Sequence, residues 1–187
     1  KIKSLIIPVV SGDSYQLRKV SILATISIAI LFLAFLILIN NIILGNNEEI
    51  KQLYFQIAAV LVSMFLLKKG KVTFALYVLL YSTMVFLIAQ MLVKNGLHNA
   101  ALFAYPGLIV AAALLLDKKE FTLFSSVLII SVPVLGILEI QKIIVNDLSH
   151  KTNSLYIINV TMVFIVTALF VKILVDTASD NLEKISR

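Results

Sequence analysis

Apolar side chains fill this sequence in six long runs, at residues 20–44, 50–67, 72–93, 97–116, 121–140 and 155–175, each ended by a short polar break. An apolar helix needs roughly 20 residues to cross the ~30 Å hydrocarbon slab of a bilayer. Within that slab, only helices and closed barrels satisfy their own backbone hydrogen bonds. The runs lack the period-two alternation that a membrane barrel strand requires. The pattern therefore predicts an all-α fold, a polytopic membrane bundle of six transmembrane helices whose last helix extends into a cytoplasmic signalling coiled coil. The expected organisation is a cytoplasmic amphipathic segment at 1–19, the six-helix domain at 20–175 and the start of a coiled-coil linker at 176–187.

The breaks between runs are short, which predicts antiparallel neighbours. Only the break at 141–154 is long enough to hold a cap over the bundle. No internal repeat stands out, and Pro106 and Pro133 fall in consecutive runs rather than in matching positions of two halves, so the inverted-repeat signature of transporters is weak. Proline removes an i→i−4 hydrogen bond, so each of the two is expected to kink its span. Composition agrees with a lipid environment, with 60% hydrophobic residues, 14% charged residues and a mean hydropathy of +1.04. A soluble bundle would need a polar face on every helix, and the first and last runs have none. There is no cysteine, which excludes disulfides and cysteine metal sites. No cleavable signal peptide is expected, since the first run lacks a small-residue cleavage site after it.

Charge sets an expected orientation. With six spans, the loops alternate sides and both termini share one. That side carries Lys1, Lys3, Arg18, Lys19, Lys68, Lys69, Lys71, Lys118, Lys119, Lys172, Lys184 and Arg187, which is 12 of the 16 basic residues. The other side holds Lys51, Lys94, Lys142 and Lys151. The positive-inside rule then places both termini in the cytoplasm. The net charge of +6 suits a face lying against anionic lipid, at ~1 kcal/mol per basic residue near the surface, and calls for no nucleic-acid partner.

On that topology the polar residues inside the spans fall toward the external side. They are Asn40 and Asn41, Gln56, Gln90, His98, Tyr105, Glu139, Tyr156 and Asn159. The cytoplasmic halves hold mainly aliphatic residues with hydroxyls such as Thr25, Ser27, Thr73, Ser125 and Ser126, which can bond back to their own helix. Polar groups in a bilayer are costly, so their placement carries information. One reading is a cavity lined by Gln56, Gln90, His98, Tyr105, Glu139 and Asn159 that takes a small hydrophobic or lipid-like ligand. The other is that these residues lie near helix ends and merely meet headgroups.

No catalytic constellation is visible. The two histidines, His98 and His150, have no metal-ligand spacing, and there is no GxSxG elbow and no glycine-rich phosphate loop. Neither enzyme activity nor a metal or other cofactor is expected of this segment.

The last run has a different character. Ala168, Val171, Val175, Ala178, Leu182 and Ile185 are spaced 3-4-3-4-3, a heptad seam that leaves the membrane without a glycine or proline. A narrow apolar seam on an emerging helix wants a partner helix, and a homodimer through it is expected. The competing expectation is an amphipathic tail lying on the membrane. Because the seam runs into Arg187 with no helix stop, a longer protein is expected to continue beyond it.

Two stretches resemble the six-helix sensor modules of bacterial histidine kinases. One is Leu5-Ile6-Ile7-Pro8-Val9-Val10-Ser11-Gly12-Asp13 leading through Tyr15-Gln16-Leu17-Arg18-Lys19 into the first span. The other is Tyr105-Pro106-Gly107-Leu108-Ile109 with Leu114-Leu115-Leu116, the charged turn Asp117-Lys118-Lys119-Glu120, and Glu139 closing the next span. The resemblance implies a multi-pass sensor and anchor in a bacterial cell (inner) membrane. Its sixth span would feed a kinase, nucleotide cyclase or diguanylate cyclase domain. A passive dimerising anchor and a small transporter or channel subunit are the alternatives.

Overall fold

The computed structural model describes residues 14–45, 47–93, 95–144 and 151–186, with the side chains of 14–18, 44, 47, 48 and 176–186 outside the description. The described residues are helical with short connections. Five helices are long and apolar enough to cross a membrane, and a sixth apolar segment is shorter. Several apolar helices of this length are compatible with a multi-pass membrane protein. The chain divides into two compact units, residues 1–86 and 87–187.

The first unit contains α1 (Ser14–Leu44), α2 (Asn47–Lys68) and most of α3 (Val72–Val93). α1 begins within the stretch assigned by sequence to the N-terminal segment; residues 1–13, including Pro8 and Asp13, lie outside the described residues. Glycines close both hairpins. Gly45 takes φ 71° after α1, the left-handed conformation that ends a helix at little cost. Gly70, at φ 75°, ends α2 in a Schellman motif: its N–H donates to the Leu67 carbonyl and the Lys71 N–H to that of Leu66, each at 3.0 Å.

Buried positions on α2 are Leu53, Gln56, Val60, Ser63 and Leu67, a 3-4-3-4 spacing that lets helices pack side by side. The α2–α3 pair is also tied by polar bonds, since the Ser63 hydroxyl donates to the Ala75 carbonyl at 2.7 Å and Gln56 Nε2 donates to Thr83 Oγ1 at 2.9 Å. Ser63 and Ala75 are small, as close backbone approach in lipid requires. The outer surface is apolar, with Phe32, Phe35, Ile43, Phe55 and Phe74 all exposed.

The second unit holds the last turn of α3, α4 (Tyr105–Leu115), α5 (Lys118–Ile140) and α6 (Ser154–Ser186). The expected fourth span, 97–116, is broken. It begins with two 3-10 stretches, Gly96–His98 and Ala100–Ala104, and only the last 11 residues are α-helical. At 1.5 Å per residue, α4 itself is about 16 Å long, half a bilayer. Asn95 at φ 62° and Gly96 at φ 50° turn the chain, and Asn99 is extended. Pro106 is likewise not a kink: it lies in the first turn of α4, where the missing N–H costs no hydrogen bond.

A capping box opens α5, with the Asp117 side chain accepting from the N3 backbone and Glu120 reaching back to the Asp117 N–H. Pro133 lies inside α5, which continues through it. Asn153 starts α6 by accepting the Tyr156 N–H at 2.8 Å. α6 then runs unbroken for 33 residues, about 50 Å. α4, α5 and α6 pack on one another around Tyr105, Ile109, Phe124, Leu128, Val132 and Phe164.

Candidate functional site: a buried carboxylate beneath a broken helix

Glu139 is 1% exposed, although it lies one residue from the end of α5. Its burial follows from register. Phe121, Ser125, Leu128, Val132 and Leu135 recur at spacings of 4-3-4-3 along the buried face, and Glu139 is the next position on it. A carboxylate there needs donors. One is the Leu97 N–H, which donates to Glu139 Oε2 at 3.2 Å. The first 3-10 stretch has no side-chain bond from its own N-cap, Asn95, so Glu139 caps it from a different helix.

Gly96 makes that contact possible. A Cβ built on Gly96 would lie 2.5 Å from Glu139 Oε2 and 2.7 Å from the carboxyl carbon, closer than real Cβ contacts. The positive φ at Gly96 is a second reason for glycine. One turn earlier on α5, Gly136 plays a related part against α6: a Cβ there would meet the Ile157 side chain at 2.5 Å and Leu97 Cδ1 at 3.0 Å.

Other polar groups gather round the elbow. His98 Nε2 is 3.0 Å from Thr152 Oγ1, and its ring stacks on Tyr156 at 4.8 Å between centroids and 23° between planes. The Tyr156 hydroxyl donates weakly to the Leu97 carbonyl at 3.5 Å. Asn99 bridges two elements, accepting the Ala101 N–H at 2.8 Å and donating to the Gln90 carbonyl of α3 at 3.1 Å. The result is a compact set of donors and acceptors drawn from α3, the elbow, α5 and α6. It contains a titratable acid and an imidazole, but no nucleophile set against a base, and the described residues include no group that could hold a metal ion.

The residues expected from sequence do not all arrive at this place. Glu139 and His98 do, and Gln90 takes part through its backbone. Tyr105 is fully buried but bonds Ser131 Oγ at 3.0 Å and tilts against Phe164. Ser131 lies eight residues before Glu139, about 12 Å along α5. Asn159 is exposed on α6. Gln56 belongs to the first unit, where it bonds Thr83. Of the seam residues, Ala168, Val171 and Val175 are half-buried on the side of α6 that carries Ile157 and Phe164. The side chains of Ala178, Leu182 and Ile185 lie outside the described residues.

The elbow residues Gly96, Asn99, Thr152 and Tyr156 were missing from the expected site. Asn95-Gly96 is a turn signal and Asn99 a capping residue, so the sequence marks a break in backbone terms that hydropathy does not register. The chain was compared with protein-family models, with curated proteins and with solved structures, and none of them matches it.

Proposed function

We propose that this chain is the membrane sensor and anchor module of a bacterial signalling protein of the histidine-kinase type, acting as a homodimer. A small hydrophobic or lipid-like ligand binds among Glu139, His98 and their neighbours, at the external end of six membrane-crossing segments with both termini cytoplasmic. The segment itself performs no catalysis. Val171, Val175, Ala178, Leu182 and Ile185 form the transmitting face that passes the state of the bundle to an output domain through a coiled coil.

The observation that supports this reading is α6. One unbroken helix touches the polar cluster at Tyr156 and Ile157 and continues about 11 residues, roughly 17 Å, past the apolar window ending at Val175. A rigid rod with one end in the cluster converts a local repacking into a movement of the other end. A ligand can bias that movement only by its differential affinity for two packings, ~1–3 kcal/mol in typical couplings.

Single cysteines at 178 and 185 can be introduced without background, since the chain has none. In membranes, their crosslinking rates should change when Glu139→Gln or His98→Ala is added at equal expression. Unchanged rates with both variants would reduce the chain to a passive anchor, for example of a nucleotide cyclase.

The broken fourth segment favours a second reading as a small transporter or channel subunit, because discontinuous helices line transport sites. Ion or solute flux in proteoliposomes of the purified chain decides for it, and tight vesicles decide against it.

A further inference from the structure

Charge is segregated along α2. Glu48 and Glu49, the only carboxylates of residues 14–93, open the helix. Lys68, Lys69 and Lys71 stand roughly 30 Å away, in the turn that joins α2 to α3.

A lysine at a helix end can serve the last carbonyls, but those are already taken. The Lys69 N–H donates to Phe65 at 3.1 Å, and the Gly70 and Lys71 N–H groups donate to Leu67 and Leu66 at 3.0 Å each. Among the described residues none of the three ammonium groups is hydrogen-bonded or ion-paired. Three cations within four residues cannot be buried without counter-charges, so this turn belongs in water or among headgroups. The turn into α5 is built differently: Lys118 and Lys119 are flanked by Asp117 and Glu120, and the four charges cancel.

Lys69 adds a direction. Its Nζ lies 4.5 Å from the centre of the Phe65 ring, one turn back along α2. The side chain thus folds toward the apolar body of the helix instead of reaching out to water. An aromatic face attracts an ammonium but leaves its charge uncompensated.

We infer that the turn Lys68–Lys71 holds the headgroup of an anionic phospholipid, with the phosphate among the three ammonium groups and the acyl chains alongside Phe65. The occupant follows from the order of the chemistry. Cations stand at the turn and an aromatic ring one turn deeper, and a phospholipid presents phosphate and then hydrocarbon in that order. A soluble anion matches the lysines but not the ring. In the proposed orientation the turn faces the cytoplasm, where the leaflet is anionic. The inference rests on α2 and α3 crossing the membrane and is independent of the sensor reading.

The chain has no tryptophan, so Phe65→Trp places a single fluorophore at the site while keeping an aromatic face for Lys69. The full chain carrying it is reconstituted into vesicles of phosphatidylcholine and phosphatidylglycerol at a fixed ratio, with one or the other lipid brominated. Bromine quenches tryptophan on contact, so comparing the two reads the lipid composition beside residue 65. Both leaflets are alike, so inverted insertion does not alter the reading. Phosphatidylglycerol should be enriched there. Lys69→Gln should lower the enrichment about fivefold, the equivalent of ~1 kcal/mol per basic residue, and neutralising all three lysines should remove it. Lys69→Arg should keep it, and neutralising Lys118 and Lys119 should leave it unchanged. Equal quenching by the two lipids, or enrichment that survives the triple variant, would overturn the inference. An equal loss on neutralising Lys118 and Lys119 would trace the effect to net charge, also against it. Enrichment abolished by inorganic phosphate but not by chloride at the same ionic strength would assign the site to a free anion, again against it. No quenching by either lipid would take α2 out of the bilayer, and the spanning reading would fall with it.

Discussion

The contact between Gly96 and Glu139 can be measured as a coupling. Gly96→Ala does two things at once: it places a methyl within 2.5 Å of Glu139 Oε2 and puts a Cβ on a residue at φ 50°. The backbone part costs about 1–2 kcal/mol for a left-handed non-glycine residue. The overpacking part costs roughly 1–3 kcal/mol where the neighbour cannot give way, and Glu139 is held by the Leu97 N–H. Glu139→Ala removes the obstacle but leaves the Leu97 N–H short of an acceptor, a loss of about 1–3 kcal/mol.

The two effects must therefore be non-additive. In the double variant the new methyl enters the space the carboxylate has left, and only the backbone strain of Gly96→Ala remains. The double variant should be more stable than the sum of the single losses implies, by roughly 1–3 kcal/mol. Reversible unfolding of the four proteins in mixed micelles, followed by circular dichroism, gives the cycle. Additivity within about 0.5 kcal/mol would mean that the two groups do not touch, and the elbow described above would be wrong. Glu139→Gln keeps an acceptor at the same reach and should lose far less than Glu139→Ala.

Other outcomes follow from single contacts. Gly136→Val should destabilise by about 1–3 kcal/mol through its clash with Ile157 and Leu97, seen as a lowered midpoint in the same unfolding assay. Thr83→Val takes away the acceptor of Gln56 Nε2 and should cost about 0.6–1.7 kcal/mol. Gln56→Leu should be neutral or stabilising, because the buried Oε1 of Gln56 has no hydrogen-bond partner among the described residues. Reporters fused after Gly70 and after Lys119 should be cytoplasmic, and an epitope at Asp147 external. Protection of the Asp147 site from impermeant reagents would invert the proposed orientation.

Helix identity and burial could be read from the chain because both depend on spacing. Glu139 continues the 4-3-4-3 series from Phe121 to Leu135, so its inward direction could be counted from sequence. Asn159, two residues after buried Ile157, sits on the far side by the same count. Grouping the two into one cavity treated nearness to a helix end as nearness in space. The fourth run misled for another reason. Hydropathy sums side chains, whereas a break depends on backbone angles, and the segment from Leu97 to Leu116 is apolar whether helical or not. Pro106 shows the same gap: the residue type says that an N–H is missing, but only the helix start says that the loss is harmless. The Leu97–Glu139 bond joins residues 42 apart, which no local pattern in one sequence can disclose.

A non-helical stretch at membrane depth is tolerated only where its freed backbone groups find other partners. Around this elbow those partners come from separate elements. Glu139 of α5 takes the Leu97 N–H, and Tyr156 of α6 reaches the Leu97 carbonyl. Asn99 of the elbow itself takes the Ala101 N–H and covers the Gln90 carbonyl at the end of α3. No single helix holds the break closed, so moving any one of them leaves a backbone group without its partner. α6 is the least buried of the five long apolar helices. It is also the one that continues beyond the apolar window. A shift of α6 along or about its axis would loosen Tyr156 from Leu97 and from His98 together. Rearrangement of the elbow would push back on the same helix through Ile157, which already fills the space above Gly136. The polar cluster and the exit helix thus share a mechanical connection through Tyr156 and Ile157.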